Sequence, residues 1–179
     1  MKRFLIGILL YSFPPICFSQ KNIYDASTIS DSLKKNAHSV KREEIISFEV
    51  KDIGQAYLSV HQVITVLDAE GQDALMFVQP SDEFRKLTDA EIKVFDATGK
   101  SINRYKMKEM KSTATGDGLV VDGKIYYFQV AAPSYPITVQ YDYQTKYKGT
   151  LNYPDYRIQD RNNLLKVRII LSQCLRILI

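Results

Sequence analysis

The chain has 179 residues, 45% of them hydrophobic and 25% charged, so it is neither a disordered nor a collagen-like sequence. Lys and Arg number 24 against 20 Asp and Glu, an excess spread along the chain that argues against nucleic acid as a partner. Twelve Tyr, eight Phe and no Trp lean toward β structure. Two Cys and two His leave little raw material for a metal cage or a thiol enzyme, so no metal and no cofactor is expected.

Lys2 and Arg3 precede the apolar run Phe4 to Tyr11, which is followed by Pro14-Pro15 and by Cys17-Phe18-Ser19. Positive, apolar and small-residue regions in that order predict a signal peptide over residues 1–19, with cleavage after Ser19. The expected location is therefore the periplasm or cell envelope. The run is too short to serve as a transmembrane anchor. A second reading makes Cys17 a lipidated cysteine, but bulky Ile16 stands where such signals carry a small residue. Cleavage leaves Cys174 alone, and with it no disulfide within the chain.

Residues 20–39 read as a polar segment, irregular and flexible over 20–29, with a short helix over Ser30 to Ala37 capped by Ser30. From there the period changes to two. Ile46, Phe48 and Val50 alternate with Ser47 and Glu49; Leu58, Val60, Ile64 and Val66 alternate with Ser59, His61 and Thr65. Ala69 to Gln72 reads as a turn before the apolar run Ala74 to Val78. Ile92 to Phe95 and Ile102 to Met107 read as a hairpin around Asp96-Ala97-Thr98-Gly99-Lys100, and 108–118 reads as a loop. Ile125 to Val130 and Ile137 to Tyr143, separated by a turn bracketed by Pro133 and Pro136, are the clearest strands.

Short strands with polar turns between them, and no alternation with helices, predict a mainly β fold: an antiparallel β-sandwich over residues 40–160 with a short N-terminal helix. Its core should include Leu58, Val60, Ile64, Val66, Val94, Phe128, Val139 and Tyr141.

No catalytic residue stands out. Cys17 leaves with the leader, Cys174 lies in the tail, and no Gly-x-Ser-x-Gly elbow is present. His61 reads as a half-buried strand residue in polar company, and an enzyme built on it needs a cleft where it meets a carboxylate and a hydroxyl. His38 reads as a solvated residue at the helix end. Tyrosines crowd the stretch from Tyr126 to Tyr156, and Tyr147, Tyr153 and Tyr156 are the candidate ligand-binding residues for a glycan or peptide. Tyrosine is also a favoured strand residue, and Tyr141 and Tyr143 already fall on the core face.

An ordered set of segments adds a resemblance. They are Asn36 to Arg42, Val63 to Gly71, Ile92 to Lys100, Asp122 to Phe128 and Ile137 to Tyr143. Over residues 33–159 the chain resembles the secreted bacterial family known as domain of unknown function 3857. That resemblance implies a β-sandwich that stands before a transglutaminase-like domain in a longer exported protein, with no catalytic motif of its own. It implies a non-catalytic accessory domain, whose partner is a transglutaminase-like domain or an envelope protein. The alternative is a free-standing glycan- or peptide-binding module that uses the Tyr-rich surface.

Residues 161–179 form an atypical tail. From Leu164 to Ile179 the alternation is lost and the sequence ends in bare apolar residues. A final strand or a membrane-seeking helix would account for this. The favoured expectation is a frameshift near Asp160 to Asn163: from the third base of the Asn163 codon, synonymous codons permit an alternating string that closes in Val-Pro.

Overall fold

A computed structural model of the chain describes residues 22–115 and 123–149, together with the backbone of Leu164 and Leu165. The leader, Tyr153, Tyr156 and nearly all of the tail lie outside the described residues. So do residues 150–160 of the expected sandwich.

The fold is mainly β. The strands are β1 (Ser39–Asp52), β2 (Gln55–Val66), β3 (Met76–Ser81), β4 (Arg85–Phe95), β5 (Ser101–Lys106), β6 (Lys111–Thr115), β7 (Gly123–Gln129), β8 (Ile137–Lys148) and the two-residue β9 (Leu164–Leu165). They make a large sheet of order β5-β4-β8-β2-β1-β9 and a small sheet of order β3-β7-β6. Every pair is antiparallel except β1 with β9, which runs parallel at Val40 and Lys41.

Alternation explains the stacking. Along β8, Ile137, Val139, Tyr141 and Tyr143 point one way, toward the small sheet. Their cross-strand partners continue that face, with Val139 between Ile64 and Val94 and Tyr141 beside Ile92. From the small sheet, Phe77 answers with its ring 5.8 Å from Tyr141 and 5.7 Å from Tyr143. Phe128 meets Tyr105 of β5 at 4.4 Å. Val66, Ile92, Val94 and Val139 are fully buried, so this seam is the hydrophobic core. Among the expected core residues, Leu58 and Phe128 are only half-buried, because they lie toward the rim of the seam.

Three local expectations change. The helix α1 spans only Asp31–Lys34. Ser30 makes no side-chain cap, bonding Ser32 Oγ instead, and Asn36 adopts a positive φ of 59° that turns the chain into β1. The turn expected at Ala69 to Gln72 is a longer 3-10 segment, Ala69–Leu75, whose N-terminus is held by Asp68 accepting from the Glu70 N–H at 3.0 Å. The loop expected over 108–118 contains strand β6, whose Ser and Thr residues suit an exposed strand.

The largest departure lies at residues 22–29, which are not a free flexible start. They form a strap docked on the outer side of the large sheet. Tyr24 stacks on Phe95 with centroids 3.9 Å apart, and its hydroxyl donates to Gln140 Oε1 at 2.7 Å. Thr138 Oγ1 donates to the Tyr24 carbonyl at 3.1 Å, and the Ala26 N–H donates to the Ala97 carbonyl at 3.0 Å. Arg42 donates to the Asp25 carbonyl and to Thr28 Oγ1, while Ala26 and Ile29 are buried. Gly99 has φ 83°, and a Cβ there would sit 2.6 Å from Asn22 Nδ2 and 2.8 Å from the Asp25 nitrogen, so only glycine lets the strap approach.

Two substitutions test this packing. Val139→Asp places a carboxylate at a fully buried strand centre and should abolish cooperative unfolding; an unchanged melting curve would show the face assignment to be wrong. Tyr24→Ala should cost about 2–4 kcal/mol by chemical denaturation and expose the strap amides to hydrogen exchange. Unaltered stability and exchange would show that the strap is not held by its ring.

Candidate functional site

The sheet registers arrange side chains on the outer face of the large sheet in rows that cross four strands. One row is Ser47–Ser59–Gln144–Asp89, the next Ile45–His61–Asp142–Glu91, and the next Glu43–Val63–Gln140–Lys93. A fourth row, Val40–Thr65–Thr138–Phe95, lies under the strap. The strap therefore covers one end of the face. It explains why Thr65 and Thr138 are fully buried and hydrogen-bonded to each other at 2.8 Å on a face that is elsewhere wet.

Beside the strap lies a charged network centred on His61. His61 Nδ1 is 2.6 Å from Asp142 Oδ1, and Nε2 is 3.8 Å from Glu43 Oε2. Asp142 Oδ2 accepts from Gln140 Nε2, and Lys93 Nζ stands 3.9 Å away. Lys93 also pairs with Glu91 at 3.1 Å, and Glu91 accepts from Arg104 Nε at 2.6 Å. Partial burial pushes the Glu91 carboxyl up, but the hydrogen bonds and charges of Arg104 and Lys93 outweigh it and hold it below its usual range. Burial raises Tyr24; Lys93 opposes that shift, while Asp142 and Glu43 add to it.

Past His61 the face opens into a shallow cleft of about 260 Å³ that includes Ser47, Ser59, His61, Asp89, Asp142 and Gln144 in its lining. His61 thus meets carboxylates, as an enzymatic reading requires. The Ser59 hydroxyl, one row away, accepts from Gln144 Nε2 at 3.2 Å. The arrangement holds one imidazole by a carboxylate and links β2 to β8 through that hydrogen bond and β8 to β4 through Lys93. Among the described residues no group of three or more His, Cys, Asp or Glu is placed to hold a metal.

The tyrosines fall elsewhere. Tyr147 is buried, its ring edge-on to Phe48 at 5.8 Å, so it offers no open platform; Tyr153 and Tyr156 lie outside the described residues. Burial raises the hydroxyls of Tyr141 and Tyr143, the latter to about 12, and Tyr141 donates to the Ala74 carbonyl at 2.8 Å. These rings pack the core.

His38 is exposed, as expected, but it belongs to the approach to β1 rather than to a helix end. Nδ1 lies 3.0 Å from Asp68 and Nε2 3.1 Å from Glu70. Its carbonyl accepts from the Leu67 N–H at 2.8 Å, and a Cβ on Gly71 would fall 2.3 Å from that carbonyl oxygen. Sequence reading missed this clamp, although Asp68 precedes and Glu70 lies within the turn that it had marked.

No family model matches the chain, and no curated protein matches it. Among solved structures, a proposed protease from Parabacteroides distasonis ATCC 8503 aligns with a TM-score of 0.54 at 10% identity, over 63% of this chain and 24% of that one. Yeast LTA4 hydrolase in complex with bestatin aligns over 70% of this chain and 17% of that one, at 11% identity and a TM-score of 0.30, too low to bear on the fold. The chain thus spans about a quarter of the length of the first of these proteins. The likeness to it is one of fold alone.

The hydrogen bond that His38 donates to Asp68 raises His38 above its ordinary value, and the same bond lowers Asp68. The raised His38 stabilises the fold fully below its unfolded value of about 6.5, and that contribution is lost as pH rises through the higher folded value. The depressed Asp68 contributes above its unfolded value and loses its contribution as pH falls through the lower folded one. An NMR titration should place His38 above a free histidine, and Asp68→Asn should bring it back. A His38 value unmoved by Asp68→Asn would remove the clamp.

Proposed function

We propose that the chain is a non-catalytic accessory β domain of an exported protein, which supports a catalytic domain carried on the same polypeptide. The observation behind this reading is that the fold recurs as 24% of a larger chain described as a proposed protease. The resemblance to domain of unknown function 3857 points the same way and makes the catalytic domain transglutaminase-like. The leader region places the protein in the periplasm or envelope on this reading. The His61–Asp142 network then serves to fix the outer face of the sheet.

The test is to read the gene past the codon for Asn163, in the two other forward frames, and to purify the longer product. The expected result is a second domain with its own Cys, His and Asp, which carries all the peptide-directed activity while the 179-residue chain has none. Hydrolysis by the 179-residue chain alone, abolished by His61→Ala, would overturn the proposal.

A further inference from the structure

The inner side of the large sheet is wider than the small sheet that covers it. Phe77 of β3 lies against Tyr141 and Tyr143 of β8, and Phe128 of β7 against Tyr105 of β5, so the small sheet sits toward β8, β4 and β5. The register carries the same face on through β2 and β1. Tyr143 pairs with Val60 and Val60 with Ile46; Thr145 with Leu58 and Leu58 with Phe48; Tyr147 with Ala56 and Ala56 with Val50. On β2 and β1 these rows are apolar, yet none of their residues there belongs to the core between the sheets. Ile46, Phe48, Val50 and Leu58 are half-buried. The next row, Glu44–Gln62, is polar: Glu44 accepts from Gln62 Nε2 at 3.0 Å and pairs with Lys41 at 2.9 Å. The face thus forms a track, apolar near the β1–β2 turn and polar toward the start of β1.

Connectivity brings one segment of the chain past this track. β8 ends beside the β1–β2 turn, where the Gly149 N–H donates to the Gly54 carbonyl at 2.8 Å. The chain meets the sheet again at Leu164, which pairs with Val40 at the opposite end. Val40 faces Thr65, so the two points are separated by the length of β2 from Gln55 to Thr65, about 33 Å at about 3.3 Å per residue. Fourteen residues, 150–163, join them. A helix of that length spans only about 22 Å, and a fully extended link reaches about 50 Å.

We propose that residues 150–159 cross the inner face of β1 and β2 as a largely extended segment, beside β3, and so close the sandwich. Leu151, Tyr153, Tyr156 and Ile158 are its apolar contacts. The order along the segment matches the order along the track: these four come first, and Gln159 to Asn163 are polar or charged throughout. Leu151 and Tyr153 share one strand parity and Tyr156 and Ile158 the other, and Pro154-Asp155 stands where that change requires a bulge or bend. The other routes do not fit. The outer face offers Ser47, Ser59 and the His61 network, and the strap covers it at the end where β1 begins. The β1 edge at Val40 and Lys41 is taken by Leu164 and Leu165 themselves. This inference goes beyond the accessory-domain reading and assigns Tyr153 and Tyr156, the remaining candidate ligand residues, to internal packing.

Nuclear Overhauser contacts in the unaltered 179-residue chain test the proposal without disturbing the fold. The rings of Tyr153 and Tyr156 should give cross-peaks to the methyls of Leu58 and Ile46, and none to those of Ile45 on the outer face. Tyr153→Ala with Tyr156→Ala should lower the denaturation midpoint and make the β1 amides exchange about tenfold faster, while those of β6 are unchanged. The contacts in the unaltered chain decide the matter even where the double variant fails to fold. Cross-peaks from either ring to Ile45, or none to Leu58 and Ile46, would overturn the proposal. So would nitration of both tyrosines by tetranitromethane as fast as in the urea-unfolded chain, a result that would return them to an open binding surface.

Discussion

Strand β8 is the constraint on which the rest depends. It is paired along its length on both sides, with β2 over Ile137 to Lys148 and with β4 over Thr138 to Tyr147. Its odd-numbered residues Ile137, Val139, Tyr141 and Tyr143 make the core; its even-numbered residues Thr138, Gln140, Asp142 and Gln144 make the floor of the outer face. A slip of one residue would exchange the two sets, burying Asp142 and exposing Val139. The His61–Asp142 bond and the Thr65–Thr138 bond hold that register from the polar side, as the Ile64–Val139–Val94 row holds it from the apolar side.

The strap uses the same strand. Tyr24 reaches Gln140 and Thr138, both on the polar side of β8, and its ring covers Phe95 on the neighbouring strand. One wet face is thereby divided into a covered half and an open half. Val63, which alternation assigns to the outside, lies in the row next to the covered one and is fully buried. The open half is the network around His61. The outer face of the small sheet differs from both, with Met76 and Val78 exposed on it.

Much of this was legible in the sequence because burial imposes period two. Val60, Ile64, Val66, Val94, Val139 and Tyr141 alternate with polar residues and are buried in the structure. His61 reads as a half-buried residue in polar company, and it is one, with carboxylates supplied by strands 18 residues before it and 81 after. Where no alternation exists the sequence is silent. Lys111 to Thr115 is uniformly exposed, so no apolar beat marks it as a strand. Residues 22–29 look polar because their anchors are one ring and a set of backbone hydrogen bonds, which composition does not record. The burial of Tyr147 was hidden for a related reason: strand parity alone does not say whether a ring at the rim of a sheet is covered, and here Tyr147 is buried with Phe48 edge-on to it.

The dependence on β8 can be measured directly by native-state hydrogen exchange. If β8 is the shared strand of both faces, its amides from Val139 to Thr145 should exchange only through global unfolding. Their protection should match the stability found by denaturant, while β6 exchanges through local opening. Val139 to Thr145 exchanging as fast as Lys111 to Thr115, or well before global unfolding, would contradict the account.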